Sequence, residues 1–329
     1  MPNIELTLAV SYYDHLSDFL RGRVQAEGIT LHNIQLPVEE IFFRMIQFNE
    51  WDVSEFSFGK YVSLVAAGNP PFRAIPVFPS RVFRQSAIYV GANSGITDPQ
   101  ALAGRQVGIP EWAQTAGIYA RGYLQHHCGV RLEDIRWVQA GVNEPGRKEK
   151  VSLSLPPGVS IRPAPERSLS QMLAEGEIDA AITAREPDAF VKGDPRIVRL
   201  WPHSRPLEEA YYRETGVFPI MHVIAIKSAV LDRYPWVAMN LFKAFEESKA
   251  NTLRHLGRAI TSRVPFAWAY DAVAHAQEVF GQDCWPYGLE RNRRTLEAFL
   301  QYSHEQGVTS RKLQVEELFP CEVQKFSRT

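Results

Sequence analysis

The hydrophobic pattern of this chain changes period along its length. Residues 4–10 alternate as a strand does, 15–24 read as a helix, and 29–36 form a second strand. Residues 38–49 then switch to helical spacing, with Ile41, Phe42, Met45, Ile46 and Phe48 clustered on adjacent turns. A short strand at 51–57 runs into a helix at 58–68 that stops at Gly68, just ahead of Pro70 and Pro71. Strands at 73–77 and 86–90 complete a block in which strand and helix alternate, as in a layered α/β domain.

Beyond residue 91 the elements shorten. A short helix precedes a strand ending at 109, the Pro110–Gly117 stretch opens a helix reaching about 128, and 135–140 is a strand. Residues 141–168 form a long polar insertion, in which Pro156-Pro157-Gly158 predicts the turn of a projecting hairpin. Helix 169–174 passes into a strand that ends at Thr183, and 197–201 is another short strand. The run 217–226 is almost continuously apolar and β-branched, which predicts a strand buried on both faces in a parallel-type sheet. One ionisable side chain, His222, lies in its middle. The remainder reads as helices at 236–255, 266–280 and 289–306, with a shorter piece at 315–318.

Composition narrows the class. With 329 residues, 45% of them hydrophobic, the chain has material for about two domains with substantial cores. A net charge of −1 gives no electrostatic case for nucleic acid or an anionic membrane, and no apolar run is long enough to span a bilayer. Three widely spaced cysteines, Cys128, Cys284 and Cys321, are not a disulfide framework and favour a reducing compartment. The first ten residues carry neither a basic segment nor an apolar leader, so a cytoplasmic protein is the expectation. Assembly into a homo-oligomer is left open.

Three separated segments carry a resemblance. They are Asp98-x-x-x-Leu102-x-Gly104-x-x-Val107-Gly108, Leu173-x-x-Gly176-Glu-Ile-Asp-Ala-Ala-Ile182, and the return through 219–226 into Tyr234-Pro-Trp-Val237. In that order they resemble the type II periplasmic-binding-protein fold. This implies an α/β, two-lobed architecture with crossover strands and a helical C-terminal third. Lobe one would be 1–91 with 214–329, lobe two 92–213, with a ligand cleft between them. Further stretches narrow the likeness: Glu55-Phe-Ser57, the 78–84 loop, Leu155-Pro-Pro-Gly-Val159, Phe218-Pro-Ile-Met-His222-Val-Ile224, and 235–246. These look like 4,5-dihydroxyphthalate decarboxylase. The resemblance implies a carboxy-lyase of phthalate degradation that converts its substrate to protocatechuate and CO₂. The alternative is a non-catalytic protein that binds or senses a small aromatic carboxylate on the same scaffold.

Such a reaction needs an acid to protonate the ring carbon, a base for the para hydroxyl, and cations for the spectator carboxylate. His222 is the first candidate for acid or base, against the alternative of a core histidine bonded to a carbonyl. Asp14 and His15 on the first strand's rim, and Glu55 on the second, are the other acid–base candidates, with helix capping as the competing role of Asp14. Arg81, Arg84 and Arg185 are candidate carboxylate clamps, and surface or ion-pair duty is the competing role. Ser57, Glu111 and Thr115 are candidate substrate contacts near helix N-termini. His126-His127-Cys128 cannot converge on one ion, so no metal site is expected there. No cofactor is implied, although a catalytic divalent ion gathered from separate loops stays open. Nucleotide-binding glycine motifs and a Gly-x-Ser-x-Gly elbow are absent.

Overall fold

Two sheets organise the computed structural model, which describes residues 2–68, 70–257 and 264–324. The first contains β1 (Ile4–Val10), β2 (Ile29–Gln35), β3 (Val53–Ser57), β4 (Phe72–Ile75) and, much later in the chain, β11 (His222–Lys227). Its order is β2-β1-β3-β11-β4. β1, β2 and β3 run parallel, whereas β11 is antiparallel to both its neighbours. The second sheet takes β5 (Ile88–Gly91), β6 (Gln106–Ile109), β7 (Arg136–Gly141), β8 (Ile161–Ser168), β9 (Ala180–Ile182) and β10 (Ile197–Arg199) in the order β10-β5-β9-β6-β7-β8. Strand β5 therefore already belongs to the second sheet, so the chain crosses over ahead of the 91/92 division expected from the sequence.

Apolar content explains which strands are central. Leu8, Ala9 and Val10 are buried at the end of β1, and all five residues of β3 are buried, the polar ones included. The 217–226 run behaves differently from its reading as one long strand in a parallel sheet. Only His222–Lys227 is a regular strand, its neighbours are antiparallel, and the residues before it are extended with a single bridge between Ile220 and Arg81. Pro219 removes a backbone donor just ahead of that bridge, so a continuous ladder is interrupted there. His222 thus opens the strand instead of occupying its centre.

The two sheets are bolted together. The helix Thr115–His126, connecting β6 to β7, is buried over most of its length and packs on the C-terminal helix Arg293–Glu305. Phe299 stacks on Phe58 at 4.6 Å and lies 4.7 Å from Tyr119, joining first sheet, second sheet and C-terminal region. Gln306 fastens the same seam: its carbonyl accepts from Trp112 Nε1 at 2.7 Å, and its side chain accepts from Arg121 Nε at 2.9 Å and donates to the Ile118 carbonyl at 3.0 Å. Burial lowers the Arg121 guanidinium to about 9, a desolvation that its place over the Trp112 ring at 3.8 Å partly offsets.

The polar insertion is no projecting hairpin. Residues 142–160 form an irregular strap that contains no strand and lies back against the molecule, because its charged residues are drawn to a buried carboxylate described below. Val151, Leu153 and Leu155 pack on the core, and the Ser154 N–H donates to the Gly307 carbonyl at 2.8 Å. Gly307 has φ +68°, and a Cβ there would stand 1.9 Å from the Ser154 carbonyl oxygen. Gly307→Ala is therefore expected to destabilise the fold by about 1–3 kcal/mol, through overpacking and left-handed strain. Urea unfolding measures this, and an unchanged midpoint would mean the strap does not close on Gly307.

Candidate active site

Three strand ends meet on one face of the first sheet. β1 delivers the Ser11–His15 loop, β3 carries Glu55 and Ser57, and β11 begins at His222. In the β3/β11 register His222 faces Ser57 and Ile224 faces Glu55. Strand alternation puts these side chains on a common face, with His222 and Glu55 as diagonal neighbours. His222 Nδ1 lies 2.6 Å from Glu55 Oε1, and Tyr13 Oη donates to the same oxygen at 2.5 Å. Oε2 accepts from the Ser11 N–H at 2.9 Å. Glu55 is fully buried, whereas the His222 side chain keeps 18% exposure and stands edge-on to Phe42 at 4.9 Å.

These bonds set the protonation pattern. Tyr13 is held in its phenol form, its pKa raised by burial and then by the neighbouring Glu55 charge, so it donates to the carboxylate. Glu55 as a carboxylate accepts from His222 Nδ1–H, which leaves Nε2 as the working nitrogen. No described residue bonds to that Nε2. A carboxylate that fixes tautomer and orientation while the far nitrogen stays free is the arrangement of a general acid–base histidine.

His15 lies behind this group, 5.5 Å from the Tyr13 ring and 5.6 Å from Trp285. Burial and, next, the Lys249 charge lower it from 6.5 to about 4, and Glu55 opposes this only weakly. It is neutral near pH 7, its Nε2 buried without a hydrogen-bond partner among the described residues. Asp14 is exposed on the rim, and the turn it opens has no side-chain cap, so the capping role does not apply.

A second cluster joins the two sheets. Ser57 Oγ and Thr115 Oγ1 lie 3.1 Å apart, and Thr115 Oγ1 also accepts from the Gly59 N–H at 2.9 Å. A Cβ on Gly59 would sit 2.8 Å from the Ala113 carbonyl oxygen, so glycine permits the approach. Glu111, 1% exposed, is met by Lys60 Nζ at 2.7 Å, Arg147 Nε at 2.6 Å and Lys150 Nζ at 3.8 Å. Burial pushes its carboxyl up, but Lys60 and Arg147 together hold it below the ordinary carboxylate range. Glu111 and Thr115 are thus engaged by protein groups.

The arginines separate. Arg81 is buried, with Nη1 donating to the Phe218 carbonyl at 2.9 Å and Nη2 to the Pro286 carbonyl at 2.7 Å and to Asn292. Its Nη donors fasten the 78–84 loop and end on two main-chain carbonyls and Asn292 Oδ1, while Nε is buried without a partner among the described residues, which corrects its reading as a carboxylate clamp. Arg84 donates to Met221 Sδ at 3.2 Å and is lowered to about 10 by burial. No described carboxylate stands within ion-pair distance of it, and its described side-chain contact is with Met221, the residue before His222. Arg185 bonds to Glu39 at 2.9 Å, a residue of the other sheet's helix, in place of its neighbours Glu186 or Asp188. Tyr13, Lys60 and Arg147 are additions to the candidate residues. Tyr13 adjoined two of them in the sequence, but nothing local marked a lysine one turn into an apolar helix.

Among the described residues no group of three or more His, Cys, Asp or Glu could hold a metal ion. His126, the last residue of its helix, turns to Glu305 at 2.6 Å, while His127, just beyond it, stacks on Tyr123, so the two imidazoles diverge. No helix among the described residues is long and apolar enough to cross a membrane.

Two sheets joined by crossed connections define a two-lobed, periplasmic-binding-protein-like α/β protein, and solved structures agree. The Escherichia coli periplasmic aliphatic sulphonate binding protein SsuA aligns with a TM-score of 0.55 over 97% of this chain and 98% of its own, at 12% identity. The desulfurization enzyme DSZB aligns at 0.52 over 96% of each chain, at 15% identity. No family model matches the chain. In sequence it is 38% identical to the 4,5-dihydroxyphthalate decarboxylase of Comamonas testosteroni over 328 residues, 99% of both chains. It is also 38% identical to that of Pseudomonas putida over 215 residues, 65% of this chain and 83% of the relative. The chain belongs to the 4,5-dihydroxyphthalate decarboxylase family.

His15 gives a stability expectation. Between pH 4 and 6.5 the unfolded chain binds a proton at this residue that the folded chain refuses. Its contribution is therefore complete above 6.5 and is lost as the pH falls through about 4. Urea unfolding across this range should show a decline toward acid that His15→Phe, which keeps the ring contacts, makes shallower. An identical slope in the variant would place His15 in a solvated environment.

Proposed function

We propose that this chain decarboxylates 4,5-dihydroxyphthalate, with His222 as the proton donor to the ring. The observation that carries the site assignment is the Glu55–His222 contact, which commits Nδ1 of a part-exposed side chain and leaves Nε2 without a described protein partner. Each carboxylate of the substrate is para to a hydroxyl, whose electron density concentrates on the carbon that bears the carboxylate. Protonation of that carbon by Nε2–H of the imidazolium, whose Nδ1–H stays on Glu55, breaks aromaticity and leaves the imidazole neutral, to be reprotonated from solvent. The carbon–carbon bond then cleaves, its electron pair returns to the ring, and CO₂ leaves. Removing one carboxyl group yields 3,4-dihydroxybenzoate, and one proton is consumed per turnover.

In this reading Glu55 positions the histidine and Tyr13 holds the carboxylate that does so. Phe42 walls the imidazole on one side and limits water there. The scheme uses no cofactor, and the small aromatic acid is the partner. Homo-oligomer formation is compatible with it and not required by it.

Incubating pure protein with 4,5-dihydroxyphthalate and following CO₂ and 3,4-dihydroxybenzoate tests the activity, and binding without turnover would favour a sensing or carrier role. His222→Asn is expected to lower kcat by about 10²–10⁴ with the circular dichroism spectrum unchanged. Glu55→Gln should cost a comparable factor, because a neutral amide facing Nδ1 no longer stabilises the imidazolium that donates from Nε2. Full activity in either variant would remove the dyad from the mechanism. Activity is expected to survive prolonged dialysis against chelator, and its loss with recovery on adding a divalent ion would bring a metal into the reaction.

A further inference from the structure

Glu39 occupies an unusual position for an exposed carboxylate. It sits in the first turn of the helix Val38–Phe48, which packs on the first sheet, yet both its oxygens are taken by arginines from the second lobe. Arg185, just beyond β9, reaches Oε2 at 2.9 Å, and Arg147, in the strap, reaches Oε1 at 3.5 Å. These three side chains line a cavity of about 300 Å³ whose remaining wall is the 141–146 backbone segment.

Two guanidinium groups converging on one carboxylate form a carboxylate cradle. The wider charge supports an exchange of occupant. The charged residues that line the cavity are Glu39, Glu144, Arg147 and Arg185, and only Glu39 is ion-paired with the arginines there, so without Glu39 the two guanidinium groups outnumber the remaining carboxylate. Arg147 is aimed by its Nε bond to buried Glu111, which leaves its Nη atoms for the cavity. Glu39 is 48% exposed and Arg185 62%, and solvated pairs of this kind are weak, so the occupant is easily displaced. The cradle is also near the chemistry. Phe42 lies one helical turn from Glu39, on the same side of the helix, and its ring touches His222.

Building on the decarboxylase reading above, we propose that Arg147 and Arg185 bind the carboxylate the substrate retains. Glu39 is that carboxylate's internal stand-in, holding the cradle between turnovers and competing with substrate for it. The two lobes thereby share substrate recognition: the first supplies the acid and the placeholder, the second the cations.

Phthalate carries the same two carboxylates without the hydroxyls that activate the ring, so it reports binding alone. Titration calorimetry on the whole protein at low salt should show phthalate bound about tenfold more weakly or worse by Arg185→Gln and Arg147→Lys, because lysine keeps the charge beside Glu111 but loses the planar fork. Glu39→Gln should bind it several-fold more tightly. Thermal unfolding of each variant checks that the fold persists. Wild-type affinity in both arginine variants, or no gain in Glu39→Gln, would overturn the proposal and reduce the three residues to an interlobe latch. If the binding changes appear as expected while wild-type protein releases no CO₂ from 4,5-dihydroxyphthalate, the cradle stands and the decarboxylase reading falls.

Discussion

A carboxylate with no exposed surface, placed in a central strand, is the constraint from which this site follows. Withdrawing such a group from water costs several kcal/mol unless donors surround it. The chain supplies three for Glu55: the Ser11 N–H, the Tyr13 hydroxyl and His222 Nδ1. Two come from the loop after β1 and the third from the start of β11, more than 200 residues later. Satisfying one buried charge therefore fixes how the β1 loop turns, where β11 begins and which nitrogen of the histidine is left over. The bonds that keep Glu55 stable are also the ones that orient His222.

The neighbours in fold space include a sulphonate-binding protein and a desulfurization enzyme, so architecture alone does not say whether a ligand is held or changed. What distinguishes a reactive site on such a scaffold is a free titratable atom with a fixed partner behind it. His222 meets that description. Arg81 does not, although it is more deeply buried, because its described hydrogen bonds end on main-chain carbonyls and an asparagine. Glu111 is an intermediate case: its surrounding cations neutralise it and in turn are aimed by it.

Much of the fold was legible because period and composition agree with burial in β1, β3 and the 38–48 helix, where local pattern and tertiary role coincide. The strand at 217–226 was legible only in part. An apolar run looks the same whether its neighbours are parallel or antiparallel, and Pro219 shortens the ladder without changing the hydropathy. His222 and Glu55 were visible as ionisable residues in apolar strands, yet their contact depends on a register between segments far apart in sequence. The insertion at 141–168 misled for an electrostatic reason. Its Glu-Pro-Gly-Arg-Lys-Glu-Lys run reads as solvated, but Arg147 and Lys150 are drawn inward by Glu111, a residue whose burial no local pattern reveals.

The apolar packing is not divided as the two sheets are. One continuous cluster runs from Leu8 and Phe56 through Val107, Trp112 and Ile118 to Phe299, so the strands that carry Glu55 and His222 and the seam between lobes share a single core. A separate, smaller cluster, with Tyr89, Leu169, Met172 and Ile197 among its members, covers the other face of the second sheet. The unfolding units of this protein therefore do not coincide with its lobes. Losing the site involves elements of both sheets together and not one lobe alone.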